Sequence, residues 1–106
     1  MPKYFVQGSY TEQGLKGLLQ EGGSKRRAAV EQLVNGLGGQ LETFYFALGS
    51  DDFVIIVDGP GNVDATAAAL IINASGAVKA RTTVLITPEE VDQAAKKTAS
   101  YRPPGQ

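Results

Sequence analysis

The sequence predicts an α+β fold in which four β-strands form one antiparallel sheet and helices stack against it. Three observations carry this reading. Four segments have strand patterning, either alternating or continuously apolar. The segments between them place apolar residues at helical spacing. Glycine pairs and Asp-, Gly- or Pro-rich turns separate the segments with short loops. The chain of 106 residues suits one domain.

The first strand reads Lys3 to Tyr10, with Tyr4, Val6, Gly8 and Tyr10 on one face and Phe5, Gln7 and Ser9 on the other. Thr11 is the expected N-cap of a helical piece carrying Leu15, Leu18 and Leu19, which Gly22-Gly23 ends. A second helix is expected from Ser24, as N-cap, to about Leu37, with Val30, Leu33, Val34 and Leu37 on one side. A strand follows from Gln40 to Leu48, alternating Leu41, Thr43, Tyr45 and Ala47 against Glu42, Phe44, Phe46 and Leu48. Gly49-Ser50-Asp51-Asp52 reads as a hairpin turn into the strand Phe53–Val57. Asn62 or Asp64 is expected to start a helix over residues 63–75, closed by Gly76. The last strand covers Val78–Ile86, with Lys79, Arg81, Thr83 and Leu85 on one face. Thr87-Pro88-Glu89-Glu90 is a capping-box start for a helix reaching about Thr98. Residues 1–99 are read as the domain and 100–106 as an extended, proline-rich tail, with Tyr101 as its anchor.

This order suits a ferredoxin-like βαββαβ sandwich with extra helices. Residues 53–57 add a second inference. Phe53, Ile55 and Val57 are apolar on one face, and Val54 and Ile56 are apolar on the other. A sheet that is apolar on both faces needs two covers. Helices supply one. A second copy of the sheet, giving a dimeric α/β barrel, is the simplest other, and the alternative is the C-terminal helix folding over its own sheet.

Composition narrows the chemistry. Ten Lys plus Arg against eleven Asp plus Glu leave a net charge of -1, which argues against a nucleic-acid binder. No apolar run is long enough for a membrane span, and the first residues lack a signal-peptide core, so a cytoplasmic location is expected. The absence of Cys and His removes disulfides, thiolate nucleophiles, imidazole bases and most transition-metal sites. No cofactor or metal is expected.

With the segments in place, the sequence resembles the GYD domain family of small bacterial and archaeal proteins. The likeness runs through Tyr4-Phe5-Val6-Gln7-Gly8-Ser9-Tyr10-Thr11, Gly14-Leu15-Lys16-Gly17-Leu18, Arg27-Ala28-Ala29-Val30-Glu31 and Leu37-Gly38-Gly39. It continues in Phe44-Tyr45-Phe46-Ala47-Leu48-Gly49, Asn73-Ala74-Ser75-Gly76, Arg81-Thr82-Thr83 and Leu85 to Glu90. The resemblance implies a ferredoxin-like sandwich, related in shape to dimeric α/β barrels; the family has no established catalytic activity, so the likeness bears on fold far more than on function. Asp51 stands where the Tyr of the Gly-Tyr-Asp element would be looked for, and Asp52 matches its Asp.

The residues able to carry chemistry are few. Tyr10, Tyr45, Asn73 and Arg81 are polar-capable groups within apolar elements, and could line a pocket at the sheet face and strand ends. Asp52 joins them as the carboxylate opening the buried third strand. The competing structural reading makes the tyrosines core residues and pairs Arg81 with a carboxylate such as Glu42. Lys25, Arg26 and Arg27 sit at a helix start, where cations oppose the helix dipole, and together with free N–H groups could hold an anion. The expected function is a small homo-oligomeric binding or interaction protein, at least a dimer through the open sheet face, with a small-molecule ligand as a further partner. The alternative is a cofactor-independent monooxygenase or isomerase acting on a small aromatic substrate inside the barrel.

Overall fold

The structure is a computed structural model and describes residues 2–106. Its elements are β1 (Lys3–Tyr10), α1 (Glu12–Glu21), α2 (Gly23–Gly36), β2 (Gln40–Phe46), β3 (Phe53–Asp58), α3 (Asn62–Ala74), β4 (Val78–Leu85) and α4 (Pro88–Ala95). The strands form one antiparallel sheet in the order β2-β3-β1-β4. This is the ferredoxin-like arrangement that the element order predicts.

Local sequence explains most boundaries. The Thr11 hydroxyl accepts from the Gly14 N–H at 3.2 Å and donates to the Gly76 carbonyl at 2.8 Å, so one side chain caps α1 and ties it to the turn before β4. The Thr87–Glu90 capping box forms as the spacing predicts. Two starts differ from expectation. The cap of α2 is Gly22 rather than Ser24, because Gly22 at φ 87° turns the chain sharply between two helices and leaves Ser24 inside the first turn. The cap of α3 is Gly61, and neither Asn62 nor Asp64 makes a capping bond.

A bulge corrects one face assignment. The β2–β3 register slips between Leu41 and Thr43, so Leu41 pairs with Val57 and shares the face of Phe44 and Phe46. Alternation alone would have placed Leu41 beside Tyr45. The face covered by helices therefore carries Leu41, Phe44 and Phe46 from β2, Phe53, Ile55 and Val57 from β3, Tyr4 and Val6 from β1, and Ala80 and Thr82 from β4.

α2 packs on β2 and α3 packs on β4. Between them lies an apolar cleft of about 50 Å³ over the central strands, room for no more than a few waters. At its floor the Tyr4 hydroxyl donates to Asn62 Oδ1 at 2.7 Å. Among the described residues, Tyr4, Val34, Phe53 and Ile55 are the buried apolar side chains. Asn73 closes the β4 edge: its Oδ1 accepts from the Ala80 N–H at 2.8 Å, and its Nδ2 donates to the carbonyls of Ala69 and Ala80.

The packed body stops at Leu85. Every residue from Ile86 to Gln106 is exposed, and α4 buries none of its side chains. The helix therefore does not seal its own sheet. It also ends at Ala95, short of Thr98. The radius of gyration is 17.1 Å, with a long axis of 57 Å. A compact chain of this length would have a radius near 13 Å.

Two substitutions check this packing by urea unfolding at fixed protein concentration. A Cβ at Gly8 would lie 2.2 Å from the Lys79 carbonyl oxygen, a backbone atom held in the β1–β4 ladder. Gly8→Ala is expected to lower stability by roughly 1–3 kcal/mol through overpacking. Asn73→Ala leaves the Ala80 backbone without its clamp and is expected to lower it by about 1–3 kcal/mol.

Candidate functional site

The face of the sheet turned away from the helices holds the most organised polar group in the molecule. Strand register aligns Tyr45, Val54, Gln7 and Arg81 in one row across all four strands. The next row is Thr43, Ile56, Phe5 and Thr83. Leu85 lies beside Lys3 in the row beyond.

Arg81 grips Asp51 with both terminal nitrogens, at 2.9 and 3.4 Å. In the amide orientation that satisfies both partners, Gln7 donates to Asp51 at 3.1 Å and accepts from Arg81 at 3.2 Å. The Asp51 side chain is 15% exposed and that of Arg81 63%. The carboxylate is thus sheltered while the guanidinium keeps one side open. Arg81 does not pair with Glu42: β2 and β4 are opposite edges of the sheet, and Glu42 pairs with Lys3. That hydrogen bond, with Asp58 nearby, raises the Lys3 amine above its usual range.

The other sequence candidates lie elsewhere. Tyr10 is on the helix side, with its ring centroid 5.3 Å from that of Phe53 and 6.5 Å from that of Phe46. Burial pushes its phenol up, and Asp52 and Glu21 add to the shift while Arg26 opposes it. Asp52 accepts the Tyr10 N–H at 2.9 Å, and its own N–H donates to Gly8, so it ties the hairpin turn to β1. Asn73 serves the β4 edge. Tyr45 and Arg81 alone of the five share the open face. Among Lys25, Arg26 and Arg27, Arg26 lies 4.0 Å from Glu21. Arg27 lines a shallow depression with Gly23, Ser24, Phe44, Tyr45 and Phe46.

The family model for the GYD domain matches residues 4–95. The chain belongs to the GYD domain family. No curated protein matches it by sequence. Among solved structures, the crystal structure of MtbAldR is similar at a TM-score of 0.57 and 21% identity, over 81% of this chain and 52% of that one. This chain thus spans about half of MtbAldR, and the likeness is one of fold.

In this GYD domain, Asp51, which departs from the Gly-Tyr-Asp element, is the residue that holds Arg81. Sequence reading singled out Arg81 but missed Gln7 and Asp51 as its partners. The available signal was Gln7 standing as an amide in the middle of an otherwise apolar stretch of β1. Its use depends on register, which only the folded sheet supplies. Among the described residues no cluster of three or more acidic side chains could hold a metal, and no helix is long and apolar enough to cross a membrane.

The Tyr10 shift has a measurable sign. A phenol raised by burial stabilises the fold below its ordinary pKa of about 10, and that contribution is lost as pH rises through the raised value. Ultraviolet titration is expected to show a tyrosine step above the ordinary range that Tyr10→Phe removes. The same substitution is expected to flatten the alkaline fall in stability.

Proposed function

We propose that this GYD domain works as a homodimeric binding module without chemistry of its own, two copies meeting open face to open face. The observation that carries the reading is the sheet face with apolar rows on which, among the described residues, no helix packs. The chain exposes 7542 Å². A folded monomer of its mass is expected to expose roughly 5,700 Å². The surplus, about 1,900 Å², is shared between the sheet faces and the extended residues 86–106, all of which are exposed. Phe5, Val54, Ile56 and Leu85 supply an apolar floor on that face, with Tyr45, 67% exposed, at its margin. An α/β barrel of two such sheets gives these side chains the second cover their sequence asks for.

Pairing would bring the Gln7–Asp51–Arg81 group of each copy to the interface. Because Asp51 already neutralises Arg81, a bare anion gains little there. A small molecule with an apolar body and a hydrogen-bond acceptor, set against the open side of the guanidinium, matches the floor better. The oxygenase or isomerase reading is less well supported, because Tyr10 and Asn73 lie across the sheet from Tyr45 and Arg81 and cannot flank one substrate with them.

Sedimentation equilibrium is expected to report a dimer at micromolar concentration. Ile56→Asp, which sets an uncompensated charge in the middle of the apolar floor, is expected to weaken association by at least about tenfold while far-ultraviolet dichroism stays unchanged. A monomeric wild-type chain at those concentrations would overturn the reading. Native mass spectrometry of protein purified from its host is expected to show a small molecule that Arg81→Ala loses.

A further inference from the structure

We infer that Tyr45 of each copy lies against the open side of the partner's Arg81, so that the Gln7–Asp51–Arg81 site is completed only by a second chain. The inference rests on the face-to-face dimer proposed above and adds to it an axis and a shared site.

Arg81 is held from one direction only. Asp51 takes both terminal nitrogens and Gln7 takes one, yet the side chain stays 63% exposed. A guanidinium with a free side is well suited to an aromatic ring. Tyr45, 67% exposed, is at the far end of the same row. Within one copy the two are about 14 Å apart, three strand spacings. They stand on β4 and β2, the two edges of the sheet.

Two identical faces that meet in a closed dimer are related by a two-fold axis parallel to them. An axis along the strands, between β3 and β1, turns every row end for end. β2 of one copy then lies over β4 of the other, and β3 over β1. Register fixes what meets what. Arg81 meets the partner's Tyr45, and Phe5 meets the partner's Ile56. Thr43 meets the partner's Thr83, and Lys3 meets the partner's Asp58. Cation faces aromatic, apolar faces apolar, hydroxyl faces hydroxyl and cation faces carboxylate. The remaining pairs, Val54 with the partner's Gln7 and Leu85 with the partner's Gln40, set no charge against an apolar group. Aligned sheets stack with their strands turned by about 30°, which moves the row ends by about 5 Å, within the length of a tyrosine or arginine side chain.

The other axes match less well. An axis across the strands lays Arg81 on the partner's Leu85 and Val54 on the partner's Asp58. The diagonal axes lay Arg81 on the partner's Arg81 or on the partner's Gln40, and neither sets Lys3 over the partner's Asp58. The axis along the strands alone gives each charge of the face an answering group. It also makes two identical sites per dimer, each with a guanidinium from one chain and a phenol ring from the other. A ligand held at Arg81 is then bounded by both chains.

Cross-linking in this cysteine-free chain tests the axis without touching the site. T43C and T83C variants, mixed and treated with a short bismaleimide, are expected to give the mixed dimer in preference to either self-linked species. An axis across the strands reverses that preference. A double-mutant cycle tests the site. Tyr45→Ala and Arg81→Ala are each expected to raise the dimer dissociation constant roughly three- to tenfold, and the loss in the double variant to fall at least about threefold short of their product. A wild-type dimer in which self-linked products prevail, or in which the two losses simply multiply, would overturn the shared site and leave the sheet-face dimer standing. A wild-type monomer would overturn both.

Discussion

A β-sheet has two faces, and this chain has helices for only one of them. With α2 over β2 and α3 over β4, the helix side is covered, though not tightly, since a cleft remains between the two. The opposite side carries Phe5, Val54 and Ile56 at its centre, and no helix packs on it among the described residues. Burial of apolar area is the main favourable term in folding. Here only four apolar side chains among the described residues are buried outright, so much of that term is left unrealised. The expanded radius follows from residues 86–106, which leave the packed body and keep α4 bare.

The polar residues divide between two tasks. Asp52, Asn73 and Thr11 satisfy backbone groups: the Tyr10 N–H, the Ala80 edge and the start of α1. Each closes a place where β1 or β4 would otherwise end with unpaired donors or acceptors, which matters most in a small domain with little core. Gln7, Asp51 and Arg81 do something different. They satisfy one another in the middle of a face that is otherwise apolar, and they leave one side of a guanidinium free.

Much of the fold was legible because it is written in local chemistry. Thr87 and Glu90 three residues apart, and glycine between two apolar helical stripes, leave little choice of conformation. The run Phe53–Val57 is likewise readable as a strand apolar on both faces, and register confirms Phe53, Ile55 and Val57 on one side and Val54 and Ile56 on the other. What stayed hidden depends on register. Leu41 changed face because one extra residue sits opposite Ile56 and Val57, and no composition rule marks that bulge. Arg81 was legible as a polar side chain on the open face, but not its partner. Asp51 lies 30 residues away, in a turn whose position beside β4 follows only from strand order. The candidate site was thus half visible: its cation from parity, its carboxylate and amide only from the fold.

The placement of that group also bears on specificity. Apolar faces alone stick in many registers, because burial has no direction. An ion pair that Gln7 joins but that leaves one side of the guanidinium free is costly to bury against an apolar partner and tolerable against a matching polar one. In the dimer proposed here the pair therefore contributes little to affinity. It penalises the sliding and off-axis stackings that would press Phe5 or Ile56 of one copy onto Arg81 of the other. In that proposed dimer the apolar rows would supply the drive to associate, and the Gln7–Asp51–Arg81 row would select which association survives.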